Sequence, residues 1–415
     1  MSTPATLRIT RRAADRLLSG HLWVYRTDLE PHQIPETPEP GSLVTLTDSR
    51  SIPLGTALYS TASTIAARLI SRTPALTRAQ YLTGLRTRID AALELRRTLV
   101  PITESTNAHR LIFSEADNLP GIIADRYNDF VLLQLLTQGT AQDDVRAVLI
   151  AALREVFAAE GHALTLWERP DPRIRELEQL APPPSGPLFS TSTEAPTTTT
   201  FTLNNLRFHY DAASGQKTGA FLDQRLNYAA AARAVQASGH TANALDICTY
   251  QGGFALHLAQ ICSHVTGVDA SRSALEAADR NLLLNPNLTA ETDWVEADAF
   301  EYLRHLDSTP EKFDAIVLDP PAFAKSKRAA EGALRGYKEL NLRAIRLLTP
   351  GGTLITNSCS HHVSLQEFTA IVAAAASDAG RRVQLLETHA AAPDHPEVLT
   401  LPETRYLKCL ICRVD

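Results

Sequence analysis

Apolar and polar positions change their rhythm twice along the chain. Over residues 1–73 the apolar positions come in short alternating runs cut by turn residues. Segments 41–48, 52–59 and 65–70 each read as a strand, and short strands punctuated by Gly and Pro predict a small β-barrel. Between 74 and 190 the pattern is mixed. Leu82, Leu85, Ile89 and Leu93 recur at helical spacing with arginines between them, which predicts a helix over 77–99. Residues 130–136 are an apolar run, read as a buried strand, and 143–159 return to helical spacing. The prolines of 182–187 and the threonines of 197–200 predict a connector.

From about residue 200 strand and helix patterns alternate regularly. Segments 244–248, 265–269, 294–298, 313–319 and 353–357 read as strands, with two more near 383–388 and 406–414. Helical patterns fall between them, for example over 273–284 and 367–379. The alternation predicts an α/β class with a parallel, doubly wound, Rossmann-like sheet. The expected organisation is therefore three units: a barrel over 1–73, an α+β unit over 74–190 and the α/β unit over 191–415.

Composition narrows the class. The 415 residues are 44% hydrophobic, enough for several cores. No run approaches 18 uninterrupted apolar residues, and the first twelve are polar and basic. A membrane span and a secretory signal are thus not expected, and the expected location is the cytoplasm. Five scattered cysteines argue against a disulfide framework. Cys409 and Cys412 form a CxxC inside an apolar strand pattern, with no second pair to complete a tetrahedral site, so no metal is expected. The net charge of −6 excludes a polycation. Arginines and lysines nevertheless cluster at 8–26, 68–97 and 325–346, patches suited to phosphates.

The first four predicted strands of the α/β unit each end at an acid: Asp246, Asp269, Asp298 and Asp319. Ligands of open parallel sheets bind beyond the carboxyl ends of their strands. One such acid alone reads as a helix cap; four in order read as a polar site. Tyr250-Gln251-Gly252-Gly253-Phe254 follows the first strand, and its glycines allow close approach of a ligand. This is not the GxGxxG of nicotinamide enzymes. Asp269 is placed to accept hydrogen bonds from ribose hydroxyls. These features fit any adenosine cofactor and leave dehydrogenase and methyltransferase both open. Asp319-Pro320-Pro321-Ala322-Phe323 decides between them. An Asp-Pro-Pro-aromatic element after the fourth strand marks methyltransferases acting on planar nitrogen or carbon. The prolines stiffen a turn that holds a base, and Phe323 can stack on its face. The cofactor expected is S-adenosylmethionine.

Asn357-Ser358-Cys359-Ser360-His361-His362 ends the fifth strand. A cysteine there is either a core thiol or a nucleophile, and the rim shared with Asp319 favours the nucleophile. Carbon 5 of cytosine is a poor nucleophile. A thiolate adding to carbon 6 makes an enamine whose carbon 5 can attack a methyl sulfonium. Asp319 would hydrogen-bond the base as charge develops.

With these residues in place the chain resembles the bacterial 23S rRNA cytosine-5 methyltransferases of the large-subunit methyltransferase I type, over nearly its full length. Further matching stretches are 20–25 around Trp23, 114–121, 215–225, 335–341 and Asp394-His395-Pro396. The resemblance implies a PUA domain for 1–73, a central domain, and a class I methyltransferase domain for 191–415. It implies Cys359 as nucleophile and Asp319 between cofactor and base. Gln224, Tyr250, Gly252, Gly253, Asp269 and Asp298 would surround the cofactor, and Pro320, Phe323, Lys325 and Arg335 would face the substrate. The partner implied is 23S rRNA, free or partly assembled; the oligomeric state stays open, a homodimer included. Two departures stand out. Gln251 replaces the family's usual Thr. The second cysteine of better-known RNA cytosine-5 enzymes is missing, Ala322 or Phe323 standing there. The group that removes the carbon-5 proton is therefore unassigned, with His361, His362 and His395 as candidates. Two alternatives remain. N-methylation of guanine or adenine would not need Cys359. A non-catalytic ribosome-assembly factor would not need Asp269, Asp319 and Cys359.

Overall fold

The computed structural model describes residues 5–30, 38–212, 219–323 and 330–415. Five strands, β1 (Ala5–Arg8), β2 (Trp23–Tyr25), β3 (Leu43–Thr47), β4 (Pro53–Tyr59) and β5 (Ile65–Ser71), form one sheet in the order β1-β3-β4-β5-β2. Helix α1 (Arg11–Leu18) starts at Thr10, whose side chain accepts from Ala13 N, and buries Ala13, Ala14 and Leu17. Those residues pack with Leu7, Val44, Leu46 and Leu69.

The middle of the chain carries a second sheet of β6 (Ala108–Phe113), β7 (Ile122–Tyr127), β8 (Phe130–Leu135), β9 (Thr165–Glu168) and β10 (Phe189–Ser190), ordered β10-β9-β8-β7-β6. Helix α2 (Arg78–Leu99) opens with a capping box, Thr77 and Gln80 each holding the other's backbone N–H. With α3 (Asp143–Ala159) it covers one face, and α4 (Pro172–Glu178) follows. Strand β8 is buried along its whole length, Gln134 included, as its mostly apolar run predicts.

The threonines of 197–200 are not a connector. Thr198–Leu203 is a strand, β11, paired antiparallel with β12 (Leu206–Asp211). Asn204 and Asn205 turn the hairpin at φ 52° and 69°, and asparagine tolerates that left-handed region. β-Branched threonine suits extended backbone, and the alternation sends Phe201 and Leu203 into a core.

The last sheet has seven strands: β13 (Asn243–Ile247), β14 (His264–Asp269), β15 (Glu291–Glu296), β16 (Phe313–Leu318), β17 (Leu348–Ser358), β18 (Val383–His389) and β19 (Lys408–Val414). Their order is β15-β14-β13-β16-β17-β19-β18. The first five are parallel, with α5 (Arg225–Ser238), α6 (Gly253–Leu258), α7 (Arg272–Leu283), α8 (Ala299–Asp307), α9 (Ala330–Leu347) and α10 (Leu365–Ala379) on the two faces. The sheet is not parallel throughout, because β19 runs antiparallel to both β17 and β18. The strand order reverses at β13 and β16, and a ligand crevice opens beyond their carboxyl ends. Among the described residues no helix is long and apolar enough to cross a membrane.

Buried polar contacts tie together the units that carry the first, second and last sheets. Arg68 on β5 pairs with Glu178 at 3.3 Å and Glu115 at 3.7 Å. Asp394 accepts from Arg110 N at 2.8 Å and from the Arg225 guanidinium at 3.1 Å.

Candidate active site

The crevice is built first by the turn after β13. Cys248, Tyr250 and Gly252 all sit at positive φ (65°, 52° and 81°). Asp246, fully buried on β13, holds this turn together. Its Oδ2 accepts from the Thr249 hydroxyl at 2.6 Å and from Ala255 N at 2.9 Å. Burial pushes its carboxyl up to about 7. Asp269 ends β14 and braces the same turn, Oδ2 accepting from Tyr250 N at 3.0 Å and Oδ1 from Ser271 N at 2.9 Å. The two glycines have separate reasons. Gly252 occupies the left-handed region, while a Cβ on Gly253 would lie 2.5 Å from the Tyr228 ring. Ala220, Phe221, Cys248, Tyr250, Gly253 and Asp319 line the crevice.

Asp319 lies one residue past β16. Its Oδ1 accepts from Gln224 Nε2 at 3.0 Å, and Gln224 Oε1 accepts from Asn227 at 2.6 Å. Gln224 is buried behind Asp319, holding that carboxylate in place. Three successive side chains fan out from the turn that starts α5. Asp223 accepts from the Tyr406 hydroxyl at 2.6 Å, Gln224 donates to Asp319, and Arg225 pairs with Asp394.

Cys359 follows β17 directly. The ends of β16 and β17 are tied twice. Asn357 Nδ2 donates to Leu318 O at 3.1 Å, and Cys359 Sγ lies 3.9 Å from Pro320 O. The serines on either side of the cysteine share one partner, the buried Tyr337 hydroxyl, at 3.0 Å (Ser358) and 2.9 Å (Ser360). Lys408, paired with Ser358 across the sheet, donates from Nζ to Ser360 O and Tyr406 O, both at 2.7 Å. Burial pulls its ammonium down to about 8, against the opposing influence of Cys359 and Glu367.

Asp319, Pro320, Tyr250, Gly252, Gly253, Asp269 and Cys359 thus gather at the rim. Other residues singled out from sequence sit differently. Asp298 lies past the end of β15 and is exposed; its Oδ1 caps α8, accepting from Phe300 N at 2.9 Å and Glu301 N at 3.1 Å. Phe323 packs against Tyr337 and Phe300 (centroids 4.8 and 5.8 Å), at the edge of the sheet's core. Arg335 is exposed on α9. Lys325 lies outside the described residues. Cys248 is a half-buried residue of the crevice, beyond its strand; burial keeps its thiol far above the usual range. His361 and His362 are exposed, whereas His395 is buried beside Asp394. Tyr406 and Lys408 escaped the sequence reading, and Asp223 and Tyr337 entered it only within the matching stretches 215–225 and 335–341 without a role, because each has a partner distant along the chain.

Two family models match the chain, a PUA-like domain over residues 7–72 and an S-adenosylmethionine-dependent methyltransferase over residues 135–412. The chain is 35% identical over 401 residues to Ribosomal RNA large subunit methyltransferase I of Klebsiella pneumoniae (strain 342), covering 96% of this chain and 95% of that one. It is also 35% identical over 399 residues to the protein of that name in Escherichia coli (strain SMS-3-5 / SECEC), with 96% of each covered. Of solved structures, SMU.776, whose crystal structure was determined as a complex with SAH, superposes at TM-score 0.80 with 21% identity over 99% of this chain and 100% of that one. That likeness establishes the fold, and the match at 35% identity establishes the kinship. The chain belongs to the Ribosomal RNA large subunit methyltransferase I family, S-adenosylmethionine-dependent enzymes with an N-terminal PUA-like domain.

Proposed function

We propose that this enzyme methylates carbon 5 of a cytosine in 23S rRNA through a covalent bond between Cys359 and carbon 6. The observation that carries the reading is the approach of Cys359 Sγ to Pro320 O, 3.9 Å, in the turn that also bears Asp319. A methyltransferase of nitrogen needs no thiol beside its Asp-Pro-Pro turn. Bound S-adenosylmethionine supplies an electrophilic methyl group. Tyr250, Gly252, Gly253 and Asp269 are the proposed contacts for it. Asp298 stands close by, since Ala297 N donates to Asp269 O at 3.1 Å. Cys359 adds to carbon 6 and leaves carbon 5 nucleophilic. Asp319, held by Gln224, hydrogen-bonds the base edge where charge develops. Once carbon 5 has lost its proton, the sulfur–carbon bond breaks and Cys359 is regenerated.

In this reading residues 1–73 grip the RNA backbone, residues 74–190 connect, and residues 191–415 perform the transfer. Arg11 and Arg12, exposed on α1, suit phosphate contacts that orient the strand without reading its sequence. The test is the product. Unmodified 23S rRNA transcribed in vitro, treated with enzyme and cofactor and digested to nucleosides, should yield 5-methylcytidine by mass spectrometry. A methylated guanosine or adenosine instead would overturn the carbon-5 assignment.

Asp269→Ala should weaken S-adenosylmethionine binding by about 1–3 kcal/mol, roughly 5- to 150-fold, because a ribose hydroxyl loses its acceptor. The Tyr250 turn also loses its brace, so the upper part of that range is expected. Titration calorimetry reads it, and unchanged affinity would remove Asp269 from the cofactor site.

A further inference from the structure

A cleft separate from the cofactor crevice opens where the units carrying the first, second and last sheets meet. Trp23 comes from β2, Phe113 and Glu115 from the end of β6 and the turn after it, and His361, Glu403 and Tyr406 from the methyltransferase side. Its volume is about 250 Å³. That is below the roughly 300–1,000 Å³ of sites that enclose a whole drug-sized ligand, and suits a single planar group. Stretches 20–25 and 114–121, which resemble the family yet have no part in the methyl-transfer site, both contribute to this cleft, through Trp23 and through Ser114, Glu115 and Ala116.

The walls are aromatic and fixed. The Tyr406 ring lies 6.2 Å from Phe113 and 5.5 Å from His361, centroid to centroid. Trp23 Nε1 donates to Glu115 Oε1 at 2.9 Å. Arg68 offsets the Glu115 charge at 3.7 Å. Glu403 differs. Its Oε1 is 3.3 Å from His21 Nε2, while its Oε2 is covered and meets no donor among the described residues. With that one contact and a side chain 36% exposed, the Glu403 carboxylate on this wall keeps acceptor capacity for a ligand N–H.

Aromatic faces beside an unfilled carboxylate acceptor fit a nucleobase that carries an amino group. A phosphate is disfavoured: Glu115 and Glu403 both line the cleft, and the guanidinium of Arg110, which lines it too, is taken up by Asp125 at 2.8 and 2.9 Å. Neither Cys359 nor Asp319 lines it. The cleft is joined to Cys359 through Lys408, which bonds Tyr406 O and Ser360 O together. We propose that this cleft is a second base subsite, receiving an amino-bearing nucleobase of a nucleotide next to the methylated one and so setting which position of the strand reaches Cys359. The inference rests on the RNA-methylating function proposed above.

Short single-stranded RNAs spanning the methylated nucleotide, fluorescein-labelled, are the probe. Their binding is read by anisotropy and their methylation by cofactor turnover. In a series that replaces each flanking base by its analogue without the amino group, wild-type enzyme should lose affinity about tenfold at one position. Glu403→Gln, which turns an acceptor oxygen into a donor, should raise the RNA KM by about the same factor and become indifferent to that replacement. Its kcat and its S-adenosylmethionine affinity should stay within about twofold. Trp23→Leu should show the same loss without a change of base preference, with a melting curve confirming its fold. Additive losses for Glu403→Gln and the analogue, or a wild-type RNA KM in both variants, would overturn the subsite. If the wild type makes no 5-methylcytidine yet anisotropy shows the coupled loss, the carbon-5 reading fails and the subsite stands.

Discussion

Cys359→Ala is expected to lower turnover by roughly four orders of magnitude or more while S-adenosylmethionine still binds. Removing a covalent nucleophile costs far more than trimming a contact, because no neighbouring group takes over its bond. The proposed cofactor contacts lie on the β13 and β14 side of the crevice and do not depend on the thiol. RNA carrying 5-fluorocytosine at the target provides a second reading. Fluorine at carbon 5 leaves no proton to remove, so the sulfur–carbon 6 bond should persist, and enzyme and RNA should migrate together through a denaturing gel. Cys359→Ala should give no such band. Cys262, Cys409 and Cys412 are buried, and Ala at each should leave the band intact. Turnover by Cys359→Ala within tenfold of wild type would sink the covalent mechanism.

Asp394→Ala should be the most damaging change to stability. The side chain is fully buried and accepts from Arg110 N at 2.8 Å and Arg225 at 3.1 Å, with His395 Nδ1 at 3.6 Å. Its own carbonyl accepts from Arg96 at 2.9 Å. Removing one partner of a buried pair strands the other, a loss of about 3–5 kcal/mol, or roughly 6–20 °C in the midpoint for a domain of 150–250 residues. Burial alone would raise the Asp394 carboxyl; His395 and Arg225 together hold it well below the usual range. A carboxyl depressed in the folded state contributes stability above its unfolded value, near 4, and loses it as pH falls further. Wild type should therefore lose stability on acidification below about 4, and Asp394→Ala should lose less over that interval. Equal acid sensitivity in both would show that Asp394 does not carry the linkage.

Periodicity revealed the elements well where one physical signal dominated. The helix of 143–159 and the strand at 130 have a clean pattern, and both lie within a residue of where the chain forms them. The threonines of β11 carried two signals, polarity for a loop and branching for a strand, and the pairing with β12 decided it. The antiparallel entry of β19 was hidden, because direction within a sheet leaves no mark on an apolar run. At the site, residues next to a strand end were legible: Asp269, Asp319 and Cys359. Asp298 looked equivalent, yet a helix begins after it and takes one of its oxygens. Gly253 lines the crevice as its position suggested, and the reason for glycine there, Tyr228 packed where a side chain would stand, shows only in the fold. Tyr337 and Lys408 stayed invisible because a tyrosine inside a helix and a lysine inside a strand show their roles only once Ser358 and Ser360 are folded against them.

The position of β19 fixes when this enzyme becomes an enzyme. A chain leaves the ribosome from its N-terminus, and domains close as they emerge. The five strands through Ser71 can pair while the rest is still being translated, and so can those through Ser190. Strands β17 and β18 cannot join, because Lys408–Val414 lies between them. Until those residues arrive, both present bare hydrogen-bonding edges, the surface on which chains aggregate. Lys408, which steadies the turn around Cys359, arrives on the same strand. A nascent chain can thus hold its N-terminal sheet folded well before its thiol is in place, and a message truncated ahead of codon 408 should yield aggregates rather than a weak catalyst.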